Sequence, residues 1–254
     1  MWRCYRYWVT GYRRTWRGSV VSTAVNPVLY LAAMGVGLGS LIRAAPGSAE
    51  LSYLQFIAPG LVAATAMQVA AIEATYPVLA SVKWIRTYHA MLATPLSVAD
   101  VFVGHLLWVL TRVAMSAAFY LAAVAAFGGI RSVFAVAAVP ISLLVGAAFA
   151  APIAAFAVVQ EHDNGFSALQ RFVIVPMFLF SGTFFAVSQL PSWIRPLAYL
   201  TPLWHGVALT RDATTGILED GGWPMVVVHL SFLIGCAAVG SVVAARNFRH
   251  RLVE

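Results

Sequence analysis

Residues 101–127 read VFVGHLLWVLTRVAMSAAFYLAAVAAF and carry one charge, Arg112. A helix needs about 20 predominantly apolar residues to cross a bilayer, so this stretch is long enough to span one. Just before it lies SVKWIRTYHAMLATPLSVAD, Ser81–Asp100, which holds the only lysine of the 254-residue chain, Lys83, close to Trp84, Arg86, Tyr88 and His89. A span is therefore entered from a polar, aromatic loop. The same alternation of long apolar run and short polar break predicts six transmembrane helices, over 20–42, 56–76, 101–127, 133–159, 172–187 and 224–244, in an all-α membrane protein of one transmembrane domain.

Composition agrees. Hydrophobic residues make up 61% of the chain and charged ones 10%, against about 25% charged in an ordinary soluble domain. The mean hydropathy is +0.83. A net charge of +7 raises the question of nucleic acid, but Lys and Arg gather on the cytoplasmic side of membrane proteins, and no nucleic-acid partner is expected. Cys4 and Cys236 stand far apart and neither has metal-site neighbours, so neither a disulfide nor a metal is expected.

Charge also sets the expected orientation. Arg3, Arg6, Arg13, Arg14 and Arg17 precede the first span, Arg246, Arg249 and Arg251 follow the last, and Lys83, Arg86 and Arg171 fall in loops on the same side. The other side carries Arg43, Arg131, Arg195 and Arg211. The excess makes both termini and the loops around Lys83 and Glu161 cytoplasmic, in a multi-pass protein of the cell's inner or plasma membrane. The five early arginines among bulky aromatics are unlike a cleaved signal peptide, so the first span reads as a retained anchor. Within residues 1–19, Trp2, Tyr5, Val9, Tyr12 and Trp16 recur at steps of three and four beside an arginine stripe. That pattern predicts an amphipathic helix in the headgroup region, which makes membrane lipids an expected partner.

The segment SQLPSWIRPLAYLTPLWHGVALTRDATTG, Ser188–Gly216, is broken by Pro191, Pro196 and Pro202. Proline removes a backbone donor and disfavours helix before it, so 188–223 reads as an outer hairpin of short re-entrant or interfacial helices. Polar residues within spans face protein or water. Glu73 is one. His105, Trp108 and Arg112 recur at i, i+3 and i+7 and share one face, so these four form the candidate intramembrane, translocation-related set, with Glu73 and Arg112 as a possible ion pair. Gly35 and Gly39 would permit close helix contact. The cluster QEHDNG, Gln160–Gly165, reads as a solvated loop that ends a helix at Asn164-Gly165 rather than as a metal or acid–base site. A P-loop needs a Lys beside Ser or Thr after glycines, whereas Lys83 precedes Trp84, and no H-E-x-x-H or G-x-S-x-G occurs. The chain is not expected to be an enzyme.

Two stretches carry a resemblance. RTYHAMLATPLSVADVFVGHLLW, Arg86–Trp108, resembles the loop and third-span entry of the ABC type-2 transporter permeases, more narrowly of the nodulation-factor (lipo-oligosaccharide) exporters and their daunorubicin-resistance relatives. YLTPLWHGVALTR, Tyr199–Arg211, resembles the signature before the last span of the same family. The resemblance implies an exporter subunit without a cofactor of its own, with ATP and Mg held by two copies of a separate ABC ATPase. It also implies pairing with a second permease, the same or a related chain, as a dimer. The loop 81–98 would hold a coupling helix, with Arg86, Thr87, Tyr88, His89, Met91 and Leu92 meeting the ATPase. Phe184, Phe185 and Trp204 would stand at the outer gate. A lipid-linked glycan, a glycolipid or an amphipathic drug (hence multidrug resistance) would be the cargo. A membrane scaffold or an intramembrane lipid-modifying enzyme is the alternative.

Overall fold

The computed structural model describes residues 1–37, 51–218 and 221–253; Gly39 and Arg43 lie outside them. Among the described residues all regular structure is helical. α1 (Trp2–Tyr30) continues into a π-helical turn over Leu31–Gly37. α2 (Tyr53–Ala74) starts at a capping box in which Ser52 and Gln55 satisfy each other's main-chain donors. It runs through α3 (Tyr76–Leu79) and the π-helical Ala80–Trp84. α4 (Thr87–Leu92) follows, then α5 (Val98–Ala126) behind a second capping box, Ser97 with Asp100. A 3-10 turn, Val133–Ala137, leads into α6 (Ala138–Ala157). α7 (Asn164–Leu169), a π-helical Gln170–Ile174 and α8 (Val175–Phe180) form one shorter apolar helix. α9 (Arg195–Tyr199) and α10 (Pro202–Thr215) precede the long α11 (Trp223–Val253).

Four of these stretches are long and apolar enough to cross a membrane: Tyr53–Trp84, Val98–Ala126, Val133–Ala157 and Trp223–Val253. The first is the centre of the bundle. Its most apolar window is 72% buried, against 17% for that of the last, and α2 touches α5, α6 and α10. α1 lies along α5, and α11 along α6. Close approach is built from small residues. A Cβ on Gly240 would meet Pro152 Cδ at 2.5 Å, and one on Gly104 would meet Cys4 Cβ at 2.5 Å.

The two ends of the bundle are defined by polar ties. At one end Lys83 and Arg251 both bond Glu161, joining the end of the long α2 stretch, the loop before α7 and the last turn of α11. At the other, the amides of Arg131 and Ser132 donate to Thr214 O at 2.9 and 3.0 Å, and Thr210 Oγ1 donates to Pro59 O at 3.2 Å. Gly182 belongs to this second end, where its carbonyl accepts from Arg211.

Three differences from the sequence expectation have physical reasons. Residues 1–19 and 20–42 are expected as two elements, yet α1 runs unbroken through residues 19 and 20. A lone glycine such as Gly18 costs a helix only about 1 kcal/mol and does not stop it. The stripe on α1 is also partly a packing seam: Tyr5 OH lies 3.2 Å from Thr111 Oγ1 and Tyr12 packs on Trp108, while Trp8, beside the stripe, packs on His105. Second, Asn164-Gly165 opens α7 rather than closing a helix, because Phe166 is buried against Tyr76 and Phe156 and pins that turn in place. The helix expected over 172–187 accordingly spans 164–180, and Phe184 and Phe185 fall in the turn beyond it. Third, α10 is wedged against α2, α6 and α11 rather than lying on a surface.

Candidate functional site

The helix after α2 is where the sequence concentrates its polar aromatic residues. Arg86 adopts a left-handed φ of 57°, the one non-glycine residue with positive φ among those described, and this reversal starts α4. The turn divides the six expected contact residues into two sets. Arg86 and His89 are exposed, and Met91 and Leu92 are half-buried. Thr87 and Tyr88 face inward, Tyr88 with 0% exposure, its ring 5.7 Å from that of Phe248. Burial pushes the Tyr88 phenol well above its ordinary pKa. These two residues hold α4 to the bundle and are out of a partner's reach. Trp84 and Ile85, 59% and 72% exposed, stand beside Arg86 and were missed by spacing alone.

The intramembrane polar set is brought together. Pro77 has no N–H to donate to the carbonyl of Glu73, four residues earlier. That carbonyl instead lies 3.1 Å from His105 Nε2, and His105 Nδ1 lies 2.9 Å from Tyr88 OH. A carbonyl only accepts, so Nε2 carries the hydrogen and Nδ1 accepts from Tyr88. The ring is 2% exposed. The Glu73 side chain turns the other way and accepts from Arg112 Nε at 3.0 Å; the two side chains are 18% and 16% exposed. Arg112 also lies over the Tyr12 ring at 4.8 Å. His105, Trp108 and Arg112 share one face, which packs on α1 and α2 at His105 and borders a cavity at Trp108 and Arg112. Beside it, between α1 and α5, Tyr12, Arg14, Glu73, Trp108 and Arg112 line a cavity of about 760 Å³.

Glu161 is the hub of a three-charge clasp. The Lys83 hydrogen bond, then that of Arg251, holds its carboxyl below the ordinary 4.5. His162 and Asp163 are exposed, and no group of three metal-capable residues occurs among the described residues.

A second feature has no counterpart in the expected site. Thr65, Gln68, Ile72 and Tyr76, spaced at three and four, form the uncovered stripe of the otherwise buried α2 stretch. Two cavities of about 330 Å³ each lie along it. Thr65 and Gln68 line one with Ser116, Tyr120 and Phe178; Ile72 borders both; Tyr76 lines the other with Phe166 and Arg171. At the far end Phe184 packs on Phe178 at 5.0 Å, and Trp204 meets Tyr199 at 4.7 Å and His229 at 4.9 Å. Phe185 packs near Trp204 in the small cluster of Val187, Leu190 and Ala198. Arg211, expected as a loop charge, is 5% exposed within α10. It donates from Nη2 to Gly182 O at 2.8 Å and from Nε to Phe56 O at 3.3 Å, with the Phe56 ring 4.0 Å beneath. The signals for this helix are in the sequence: Thr201-Pro202 is an N-cap with an N1 proline, and Gly216 closes it at φ 75°.

The ABC-2 type transporter family matches residues 2–214, which contain α4, the α2 stripe and all of α10 but its last residue. The chain belongs to the ABC-2 type transporter family. This permease is 28% identical to Nodulation protein J of Rhizobium meliloti (strain 1021) over 255 residues, covering 97% of this chain and 94% of that protein. It is 30% identical to Nodulation protein J of Sinorhizobium fredii (strain NBRC 101917 / NGR234) over 256 residues, with 97% and 94% covered. Against Nodulation protein J of Rhizobium leguminosarum bv. trifolii the identity is 31% over 216 residues, 82% of this chain and 81% of that one. The permease is thus a membrane-embedded transport component, and its exposed α4 and uncovered α2 stripe lie within the matched region.

Proposed function

We propose that this permease is the transmembrane subunit of an ATP-driven exporter, with ATP and Mg bound by two copies of a separate ABC ATPase and a second permease completing the conduit. The observation that carries the proposal is the family match over residues 2–214. Relatives named Nodulation protein J support an amphipathic, glycan-bearing cargo, a lipo-oligosaccharide or glycolipid, moved outward. Six crossings are favoured because 164–180 starts beside the Glu161 end and finishes beside Gly182 at the other. The charge excess favours a cytoplasmic Glu161 end, hence cytoplasmic termini, in the cell's inner membrane.

In this reading the ATPase docks on Trp84, Ile85, Arg86 and His89, with Met91 and Leu92 at the margin. Aromatic and arginine side chains of this kind anchor interfaces. Thr87 and Tyr88 are positioning residues behind them. Motor movement reaches the bundle through Tyr88, His105 and the main chain of Glu73. Cargo follows the stripe Thr65–Gln68–Ile72–Tyr76, and Phe184, Phe185 and Trp204 close its outer end. Glu73, Trp108 and Arg112 brace α1 against this path.

The test is co-purification of the chain with its ABC ATPase, following subunit retention and ATP hydrolysis for the wild type and for Arg86→Ala/His89→Ala. Retention by the wild type and loss of retention or of hydrolysis coupling in the double variant is expected. An ATPase held equally well by both would overturn the docking surface. A scaffold would retain the ATPase without moving cargo.

A further inference from the structure

The cavity between α1 and α5 lies at a depth that two helices fix independently. Tyr12 packs on Trp108 at 5.3 Å and under the Arg112 guanidinium, so the arginines beside it on α1, Arg13 and Arg14, stand level with the Glu73–Arg112 pair. From Glu73 back to Tyr53, where α2 begins at the opposite end, the helix rises about 30 Å. That is the thickness of the hydrocarbon core, about 30 Å. From Arg17 to Gly37, α1 with its π-helical extension rises nearly as far. On α2 and α1 the ion pair and the α1 arginines thus stand about one hydrocarbon thickness from the opposite end of the bundle, and the cavity lies at their level.

Its walls have the side-chain chemistry of a membrane interface. Trp8, Tyr12 and Trp108 supply aromatic surface with polar tips, as such side chains do at membrane interfaces. Trp8 Nε1 and Tyr12 OH are buried and make no hydrogen bond within the chain. Arg112 is neutralised by Glu73, whereas Arg14 forms no ion pair among the described residues, which leaves the lining with one uncompensated positive charge. At about 760 Å³ the space is that of a small-molecule site rather than of a bare anion.

We propose that this cavity binds the phosphate-bearing headgroup of an anionic phospholipid, with Arg14 as the principal phosphate ligand and the aromatic walls seating the glycerol backbone. Guanidinium pairs bidentately with phosphate, and its planar fork suits a rim of indole and phenol. The acyl chains run up the exposed side of α1, where Val25, Val28 and Leu29 face outward. The site is separate from the exposed face of α4 and from the α2 stripe, so it stands whether or not the cargo path runs there.

The test titrates the purified full chain in neutral detergent with short-chain phosphatidylglycerol, with phosphatidylcholine of the same chain length and with inorganic phosphate, reading the thermal midpoint. A ligand that binds only the folded state raises that midpoint in proportion to its occupancy. Phosphatidylglycerol should give a saturable rise that phosphatidylcholine does not. Arg14→Gln, at an exposed position where folding is not at risk, should weaken the apparent affinity about tenfold, the loss expected for one charge-assisted contact. Arg3→Gln, on the same helix but away from the cavity, should leave it unchanged. No rise with phosphatidylglycerol would overturn the proposal. So would an equal rise with inorganic phosphate, which would make this a free-anion site, or an equal loss in Arg3→Gln, which would make the binding diffuse.

Discussion

His105 donates its Nε2 hydrogen to the main-chain carbonyl of Glu73 at 3.1 Å, the carbonyl that Pro77 leaves without a helical donor. A proline in a central helix ordinarily exposes an acceptor; here a histidine from the next span fills it. The same ring meets Tyr88 OH at 2.9 Å, so a single imidazole ties α4, α2 and α5 together. Tyr88→Phe should cost about 1–3 kcal/mol, because it leaves a buried acceptor unsatisfied. His89→Ala, one residue along on the exposed side, should leave the thermal midpoint unchanged. Thermal unfolding of the two variants in parallel checks this; an equal loss in both would mean that α4 is not anchored through Tyr88.

The side chain of Glu73 makes a separate bond, to Arg112. Arg112→Leu strands a mostly buried carboxylate and should destabilise the chain by about 1–3 kcal/mol. Glu73→Gln/Arg112→Leu should cost less than Arg112→Leu alone, since no unpaired charge remains. A double-mutant cycle read by thermal unfolding measures the coupling, and additive losses would show that the pair contributes nothing.

At the Glu161 clasp the sign of the pH effect follows from the direction of its shift. A carboxyl held below its ordinary 4.5 adds stability above that value and loses it as the pH falls through the lowered pKa. The stabilisation should therefore be flat from neutral pH down to about 4.5 and disappear below it, with a small amplitude because Glu161 is solvent-exposed. Glu161→Gln should remove this component. A thermal midpoint measured against pH for both proteins checks it.

Arg211 bridges two carbonyls from different elements, Phe56 O and Gly182 O, with its planar fork. Lysine carries the charge without that geometry. Arg211→Lys should therefore fail to restore stability, losing about 1–3 kcal/mol, close to the loss in Arg211→Met. Full rescue by lysine would show that charge alone matters.

How much of this was legible beforehand varies with the kind of interaction. Long apolar runs mark α2, α5, α6 and α11 because crossing a bilayer leaves an unambiguous compositional trace. The common face of His105, Trp108 and Arg112 follows from helical spacing, and so does the pairing of Glu73 with Arg112 as a possibility. What spacing cannot give is which side of a short helix faces inward: Tyr88 and His89 are neighbours, and tertiary packing alone buries one and exposes the other. The fate of Arg211 was hidden for a related reason. A charge after a proline-broken stretch reads as a loop residue until α10 is seen wedged into the bundle. The α2 stripe of Thr65 and Gln68 was obscured because two uncharged polar residues barely alter the hydropathy of a span.

The most direct measurement is ATP-driven movement of a labelled lipo-oligosaccharide in vesicles holding the permease and its ABC ATPase, oriented so that ATP is added on the Glu161 side. Movement away from the ATP side that requires hydrolysis, and that fails with Arg86→Ala/His89→Ala while the fold is intact, is the predicted result. A bound, active ATPase with no movement of any amphipathic glycolipid or drug would contradict the account and leave a scaffold in its place.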